Sequence, residues 1–491
     1  MQQSQIRTKS MSKIKTPQSG ETGQLSWLYA PKEQSLTLSG AGAIPDYPIA
    51  ETPWQEFRDE IKSIVLEEGV TRIGDYAFYD CTALTSVEIP EGVTLIGESA
   101  FACCQSLESV TIPGSVTEIG EGAFESCSDL LALELTSGLK RVGAFAFSEC
   151  FSLRALDLPD TVERIDRSAF TGTALQELVI PGNVQEIGDN AFNGCIRLSS
   201  LTLSEGIRVI EEMAFSNCSD LKEVLLPASV ERLGDGVFAD CLAMTQIAVS
   251  PESEHFAVQD NILYSKDLST LLHYPAGKEE QEFTLPEEVR KIAGLAFASN
   301  YFLTDVTLGD HLEEVGSYAF ARCSCLTYMY LPPQTTRLGV APFHDCTELL
   351  EIEVDPSNPC YSSIDGVLYN KEQTQLIQYP AGLYEDFYKV PDTVQEIAEY
   401  ACYDAQDLEV LKIPAGVRKI GDMAFAFCDK LRDVELQATD PAQIEVGMMA
   451  FFSVAGTPRT LRVPQGSRTL YEKSEQWQDL AQKIVEQEAK R

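Results

Sequence analysis

The residues with chemistry to offer in this 491-residue chain are fourteen cysteines, four histidines and a large excess of carboxylates. Ten cysteines stand three residues after a recurring aromatic position: Cys81, Cys104, Cys127, Cys150, Cys195, Cys218, Cys241, Cys323, Cys346 and Cys428. Zinc or dithiol redox chemistry asks for Cys-x-x-Cys pairs, whose sulfurs converge on one metal or one disulfide. The chain contains none. Thr173 and Asn300 occupy the same place in two other units, and both can hydrogen-bond. The set therefore reads as a ladder of reduced, buried thiols completing turn hydrogen bonds, since free Cys packs as a small hydrophobe. Stacking alone does not supply disulfide geometry, and such a ladder suits a reducing or anaerobic setting. Cys103, Cys325 and Cys360 fall off the ladder and are expected nearer the surface, while Cys402 takes the aromatic position itself.

Enzyme signatures fail in turn. His255, His273, His311 and His344 form no H-E-x-x-H pair, and neither a G-x-S-x-G elbow nor a phosphate loop is present. Gly120-Glu121-Gly122 and Gly234-Asp235-Gly236 open like dinucleotide loops but run directly into Ala-Phe and Val-Phe, which makes them corner residues. Asn217-Cys218-Ser219 is a formal glycosylation sequon lying on a ladder turn and reads as coincidence. Carboxylate pairs are frequent, but 75 Asp and Glu against 37 Lys and Arg produce pairs by chance. No catalytic, cofactor-binding or metal-binding residue is assigned, and an enzyme is not expected. The net charge of -38 excludes a nucleic-acid partner, because phosphate backbones bind through Lys and Arg. It equally disfavours anionic membrane surfaces. No stretch approaches the ~18 consecutive apolar residues of a membrane helix.

What positions these residues is a repeat. Phe recurs at 78, 101, 124, 147, 170, 192, 215 and 238, resumes at 297, 320 and 343, and returns at 425 and 451. Through the runs 78–238 and 297–343 the step is 23 residues, with one step of 22 between Phe170 and Phe192, and the last step, Phe425 to Phe451, is 26. One unit, residues 84–104, reads LTSVEIPEGVTLIGESAFACC. Val87 and Ile89 alternate with Ser86 and Glu88, the period of a strand with one buried face. Pro90 ends that strand, Val93 and Ile96 supply the apolar pair of the return side, and Gly97 marks a corner. Ala100 lets coils approach, and Phe101 fills the space between the two sides. A single unit cannot bury its apolar side, but stacked neighbours bury it continuously. The chain is thus expected to be one strand-rich α/β-type solenoid.

The IGxxAFxxC half of the unit resembles the BspA-like, Treponema-type leucine-rich repeats over roughly residues 61–465. That resemblance implies a right-handed leucine-rich-repeat horseshoe or arc, here of about fourteen ~23-residue coils, with a parallel concave sheet. The expected organisation is a disordered basic tail at 1–22, a basic start without the apolar run of a signal peptide, then an N-terminal cap at 23–60. Repeats follow at 61–249, 286–354 and 391–465, with a closing helix at 466–491 carrying Tyr471, Trp477, Leu480 and Ile484. Between the repeats lie two hairpin inserts, 250–285 and 355–390, which match at an offset of 105 residues. Asn261-Ile-Leu-Tyr264 parallels Gly366-Val-Leu-Tyr369, and Tyr274-Pro-Ala-Gly277 parallels Tyr379-Pro-Ala-Gly382. Whether the insert strands extend the main sheet or project from it stays open in the sequence.

The outward strand positions run from Val65 and Glu88 to Glu435 and Arg462, a small and acidic face with apolar patches. Tyr is absent from residues 80–263, yet thirteen of the eighteen fall within 264–403. Tyr and Trp lead binding hot spots because a rigid ring buries much area while its polar tip stays satisfied. Alternation points Tyr328 and Tyr330 outward, flanked by Asp305 and Thr307 on one coil and Glu351 and Glu353 on the next. These six are the candidate partner-binding residues, whereas Tyr264 and Tyr369 read as packing residues of the duplicated hairpins. Resemblance implies a non-enzymatic cell-surface or secreted scaffold engaging a protein or glycan in adhesion or host interaction. The absence of a visible signal or anchor leaves an intracellular, cytoplasmic interaction scaffold as the alternative.

Overall fold

A computed structural model describes residues 16–453, 460–477 and 483–487. The chain divides into two compact units, Met1–His255 and Phe256–Arg491. Both are parallel β-solenoids with little helix, and the chain makes about eighteen turns.

In the first unit, Gln18–Thr22, Leu25–Ala30 and Ser35–Gly40 form an antiparallel cap. The tail expected at 1–22 is therefore partly a strand, and residues 1–15 lie outside the described residues. Ser35–Gly40 then pairs in parallel with Ser63–Leu66, so the cap hands a ready edge to the first repeat. Parallel pairing continues through Ser86–Glu88, Ser109–Ile112 and Ala132–Leu135, and resumes in the pairs Glu177–Ile180 with Ser200–Leu203 and Glu223–Leu226 with Gln246–Val249. The return side is a second parallel sheet of two-residue strands from Leu95–Ile96 to Arg232–Leu233.

Between the sheets runs the aromatic stack. Phe101 and Phe124 lie 5.1 Å apart by ring centroid, and Phe124, Phe147, Phe170, Phe192 and Phe215 follow at 5.3 Å each. The residues two before and two after a rung Phe take positive φ, as Ser99 and Cys103 do around Phe101 at 48° and 61°, which wraps the chain tightly round the ring. The Phe78 N–H donates to the Ala100 carbonyl of the next coil at 2.8 Å. Gly97 is required because an added Cβ would stand 2.7 Å from the Asp75 nitrogen. Trp54 stacks on Phe78 at 5.4 Å and its Nε1–H donates to the Ala77 carbonyl, which makes Trp54 the first rung.

In the second unit each insert is a three-stranded antiparallel meander whose last strand is a rung of the short-strand sheet. Phe256–Gln259, Ile262–Ser265 and Thr270–His273 lead into Lys291–Ile292, and Tyr361–Ile364, Val367–Asn370 and Gln375–Gln378 lead into Glu396–Ile397. The inserts thus extend the return side and not the longer-strand, principal sheet. Tyr274 stacks on Phe297 at 5.0 Å, so it holds the Phe position of its own coil. Tyr379 does the same by donating its N–H to the Ala401 carbonyl, as Phe78 does to Ala100. The count of about fourteen coils is therefore low: Tyr274, Tyr379, Trp54 and Trp477 hold rungs where a Phe was sought. The closing segment also differs from a helix over 466–491. Among the described residues of this segment only Arg468–Glu472 is helical, and Lys483–Glu486 forms a parallel strand beside Thr460–Val463. Tyr471 and Trp477 pack inward, with Trp477 6.1 Å from Phe451, so the segment completes another coil. Leu480 lies outside the described residues.

Candidate functional site

The Tyr328–Leu331 strand alternates as its sequence requires: Met329 and Leu331 are buried, and Tyr328 and Tyr330 turn outward, half-buried. Register sets Tyr328 beside Glu351 and Tyr330 beside Glu353 on the Glu351–Val354 strand. The long phenol side chains reach further along. Tyr328 Oη donates to Glu353, and Tyr330 Oη donates to Asp355 Oδ2 at 2.5 Å. Asp355 also accepts from the Ser357 hydroxyl and N–H, and these bonds hold its carboxyl below the usual range. Burial, then the bond to Glu353, pushes the Tyr328 hydroxyl up; the bond to Asp355 raises Tyr330 to about 12. Both phenols therefore stay protonated donors at neutral pH.

The six candidate residues divide. Tyr328, Tyr330, Glu351 and Glu353 come together on one strand pair. Asp305 and Thr307 pair instead with Glu282–Thr284, and the Thr307 hydroxyl faces Asp305 Oδ1 at 3.5 Å. Among the described residues no Lys or Arg forms an ion pair with Asp305, Glu351, Glu353 or Asp355. Further along the same face charges are matched, Lys412 with Glu435 at 3.3 Å and Arg462 with Asp433 at 3.2 Å. The second insert borders the site: the Gly366 carbonyl accepts the Ile352 N–H at 2.9 Å, and Ser363 Oγ accepts the Val354 N–H at 3.1 Å. Gly366 has φ 79°, and a Cβ there would meet Glu351 Cα at 3.3 Å. Sequence reasoning missed Asp355 and this border. A two-residue diagonal reach across parallel strands was the available signal for Asp355.

The other chemical residues are structural. Tyr264 and Tyr369 are buried, the latter hydrogen-bonded to the Tyr388 hydroxyl. Ladder thiols donate to the carbonyl of the rung residue one coil back, as Cys127 Sγ does to Phe101 at 3.3 Å and Cys428 Sγ to Cys402 at 3.0 Å. Burial pushes Cys150 and Cys323 up to about 12, far from a thiolate nucleophile. Burial lowers His273 and His344 to about 4, so both rings are uncharged at neutral pH. Among the described residues no group of three His, Cys, Asp or Glu is arranged for a metal ion, and no helix is long and apolar enough to cross a membrane.

With this geometry in hand, comparison with known proteins adds the following. The BspA type leucine rich repeat region (6 copies) matches residues 55–174, 140–269, 276–385 and 386–472. The chain is similar to a leucine rich cell surface protein from Faecalibacterium prausnitzii A2-165, at 23% identity over 87% of this chain and 97% of that one, TM-score 0.49. It is similar to the pneumococcal vaccine antigen PcpA at 18% identity, over 96% of this chain and 99% of that one, TM-score 0.45. A leucine-rich repeat protein from Bacteroides ovatus ATCC 8483 aligns at 19% identity, over 96% of this chain and 100% of that one, TM-score 0.41. Comparison with curated proteins finds no match. No catalytic family is indicated. The in-register IGxxAFxxC units, the paired parallel sheets between which they stack, and the family match over most of the chain converge: this chain belongs to the BspA type leucine-rich repeat family.

Proposed function

We propose that the protein is a non-enzymatic binding scaffold whose principal sheet engages a partner protein at Tyr328 and Tyr330. The observation that carries this reading is the outward phenol pair, each hydroxyl bonded to a carboxylate that forms no ion pair with Lys or Arg among the described residues. Half-buried rings offer rigid apolar area at small entropic cost, and the carboxylates behind them favour a partner with cationic or donor groups. Glu351, Glu353 and the Gly366 turn form one border, and Asp305 and Thr307 extend the surface on the other side. A glycan partner would use the same rings by stacking. Display at the cell surface or secretion, with a role in adhesion or host interaction, is the setting that BspA-type membership favours. An intracellular scaffold is the second reading, favoured by Cys103, Cys325 and Cys360, three unpaired thiols that are only partly buried.

The test is a photo-crosslinking side chain placed at position 328 or 330, and separately at 134 or 157, in cells that make the protein. Adducts at the first pair alone support the site, and adducts at Glu134 or Asp157 alone refute it. Protease treatment of intact cells separates the two settings, because only a displayed chain is cut.

A further inference from the structure

A cleft of about 580 Å³ opens on the short-strand side of the second unit. It exists because the second insert interrupts that sheet. Each short strand normally passes its outward backbone groups to the next coil: the Val315 carbonyl accepts the Gly339 N–H at 2.8 Å, and the Ile397 carbonyl accepts the Gly421 N–H at 2.9 Å. After Arg337–Leu338 the relay stops. The Leu338 N–H is taken by Tyr361 Oη at 3.0 Å, and Tyr361 Oη in turn donates to the Thr336 carbonyl at 3.3 Å. The Leu338 carbonyl points the same way as its N–H, as parallel pairing demands, and receives no N–H among the described residues. The strand edge facing the cleft is therefore open at the Leu338 carbonyl, and Gly339–Ala341 continue that wall with the Gly339 and Val340 N–H groups and the Val340 and Ala341 carbonyls paired.

The floor is the outer face of the following sheet. Gln375, Glu396, Lys419 and Glu445 stand in register across four strands, roughly 15 Å at a spacing of ~4.8 Å. Beside them Ala398, Gly421 and Gly447 make a row with almost no side chain, and Glu399 and Asp422 rise beyond it. Lys419 is already ion-paired with Glu396 at 3.1 Å. The lining thus offers a main-chain acceptor and carboxylates, and its cation is spent.

We propose that this cleft is a second docking surface, separate from the tyrosine face, which takes an extended lysine- or arginine-bearing segment of a partner protein. An extended backbone can donate N–H to the open edge at Leu338, as strand addition requires. It lies flat on the alanine and glycine row, and its cationic side chains meet Glu399, Asp422 and Glu445, so charge selects the occupant.

The experiment uses the full chain and a fluorescein-labelled peptide of alternating glycine and lysine, read by anisotropy. Serine and glutamate versions of the peptide, and spermine as a competitor of matched charge, accompany it. The cleft variant is Glu399→Gln with Glu445→Gln, and the control, in the first unit and away from both surfaces, is Glu177→Gln with Glu223→Gln. All four side chains are exposed, and melting curves check folding. The lysine peptide is expected to bind, to lose about tenfold or more in affinity in the cleft variant and at raised salt, and to be unaffected by the control variant. No binding, equal loss in both variants, or equal binding of the serine peptide would overturn the proposal. Spermine binding as tightly as the peptide would also overturn it, because the strand edge would then contribute nothing. A failed tyrosine face with an intact cleft response leaves this proposal standing, and the reverse holds.

Discussion

Tyr328 donates its hydroxyl to Glu353, one pleat beyond its register partner Glu351, and Tyr330 repeats the offset onto Asp355. Each phenol is thereby locked as a protonated donor. Tyr330 is pushed up to about 12, against ~10 for the unfolded chain. Below ~10 both states keep the proton, so the group's contribution to stability is complete and independent of pH. Between ~10 and about 12 the unfolded chain releases the proton while the folded one holds it, so stability falls as pH rises. Absorbance titration of tyrosinate in the wild type minus Tyr330→Phe should isolate a midpoint near 12. A midpoint at the free-tyrosine value would mean that the hydroxyl is not held.

Tyr379 fills an aromatic rung, yet its buried hydroxyl has no hydrogen-bond partner among the described residues. Removing an unsatisfied buried hydroxyl relieves its desolvation cost. Tyr379→Phe is expected to raise stability by about 1 kcal/mol in chemical denaturation. A loss of similar size would show that the hydroxyl is satisfied in solution.

Phe124 and Cys127 sit three residues apart in one coil and contribute differently. Phe124→Ala deletes a ring stacked between Phe101 and Phe147 and should cost about 3–5 kcal/mol. Cys127→Ser keeps a donor for the Phe101 carbonyl and should cost no more than about 1 kcal/mol. Because coils couple to their neighbours, hydrogen exchange should localise the Phe124→Ala damage to adjacent coils. Equal costs for the two variants would refute the division of roles.

All fourteen cysteines are free, eleven of them buried. Thiol titration without reductant should count nearly all fourteen after unfolding, and in the native protein Cys103, Cys325 and Cys360 should react first. Native reaction of ladder thiols as fast as these three, or disulfides between ladder positions, would contradict the buried arrangement.

The solenoid was legible because one large residue, Phe, marks nearly every coil, and strand alternation sufficed to turn Tyr328 and Tyr330 outward. Rungs held by Tyr274, Tyr379, Trp54 and Trp477 escaped notice because the position asks for a flat ring, which residue identity alone does not announce. The closing segment misled for a related reason: Tyr471, Trp477 and Ile484 fall at spacings that suit either a helix face or one more coil. Asp355 and the border at Gly366 depend on side-chain reach and on where an insert lies, neither of which is a periodic property.

The Phe78 N–H bond to Ala100, repeated coil after coil, runs from one turn to the next. Tension applied along the stack would load these bonds one coil at a time, as in opening a zipper, not all together as in shearing two strands. Each coil that lets go frees 23 residues, roughly 80 Å of extended chain. Within each unit the protein is thus built to lengthen under load in small, separate increments, each of which closes again on the coil left standing beside it.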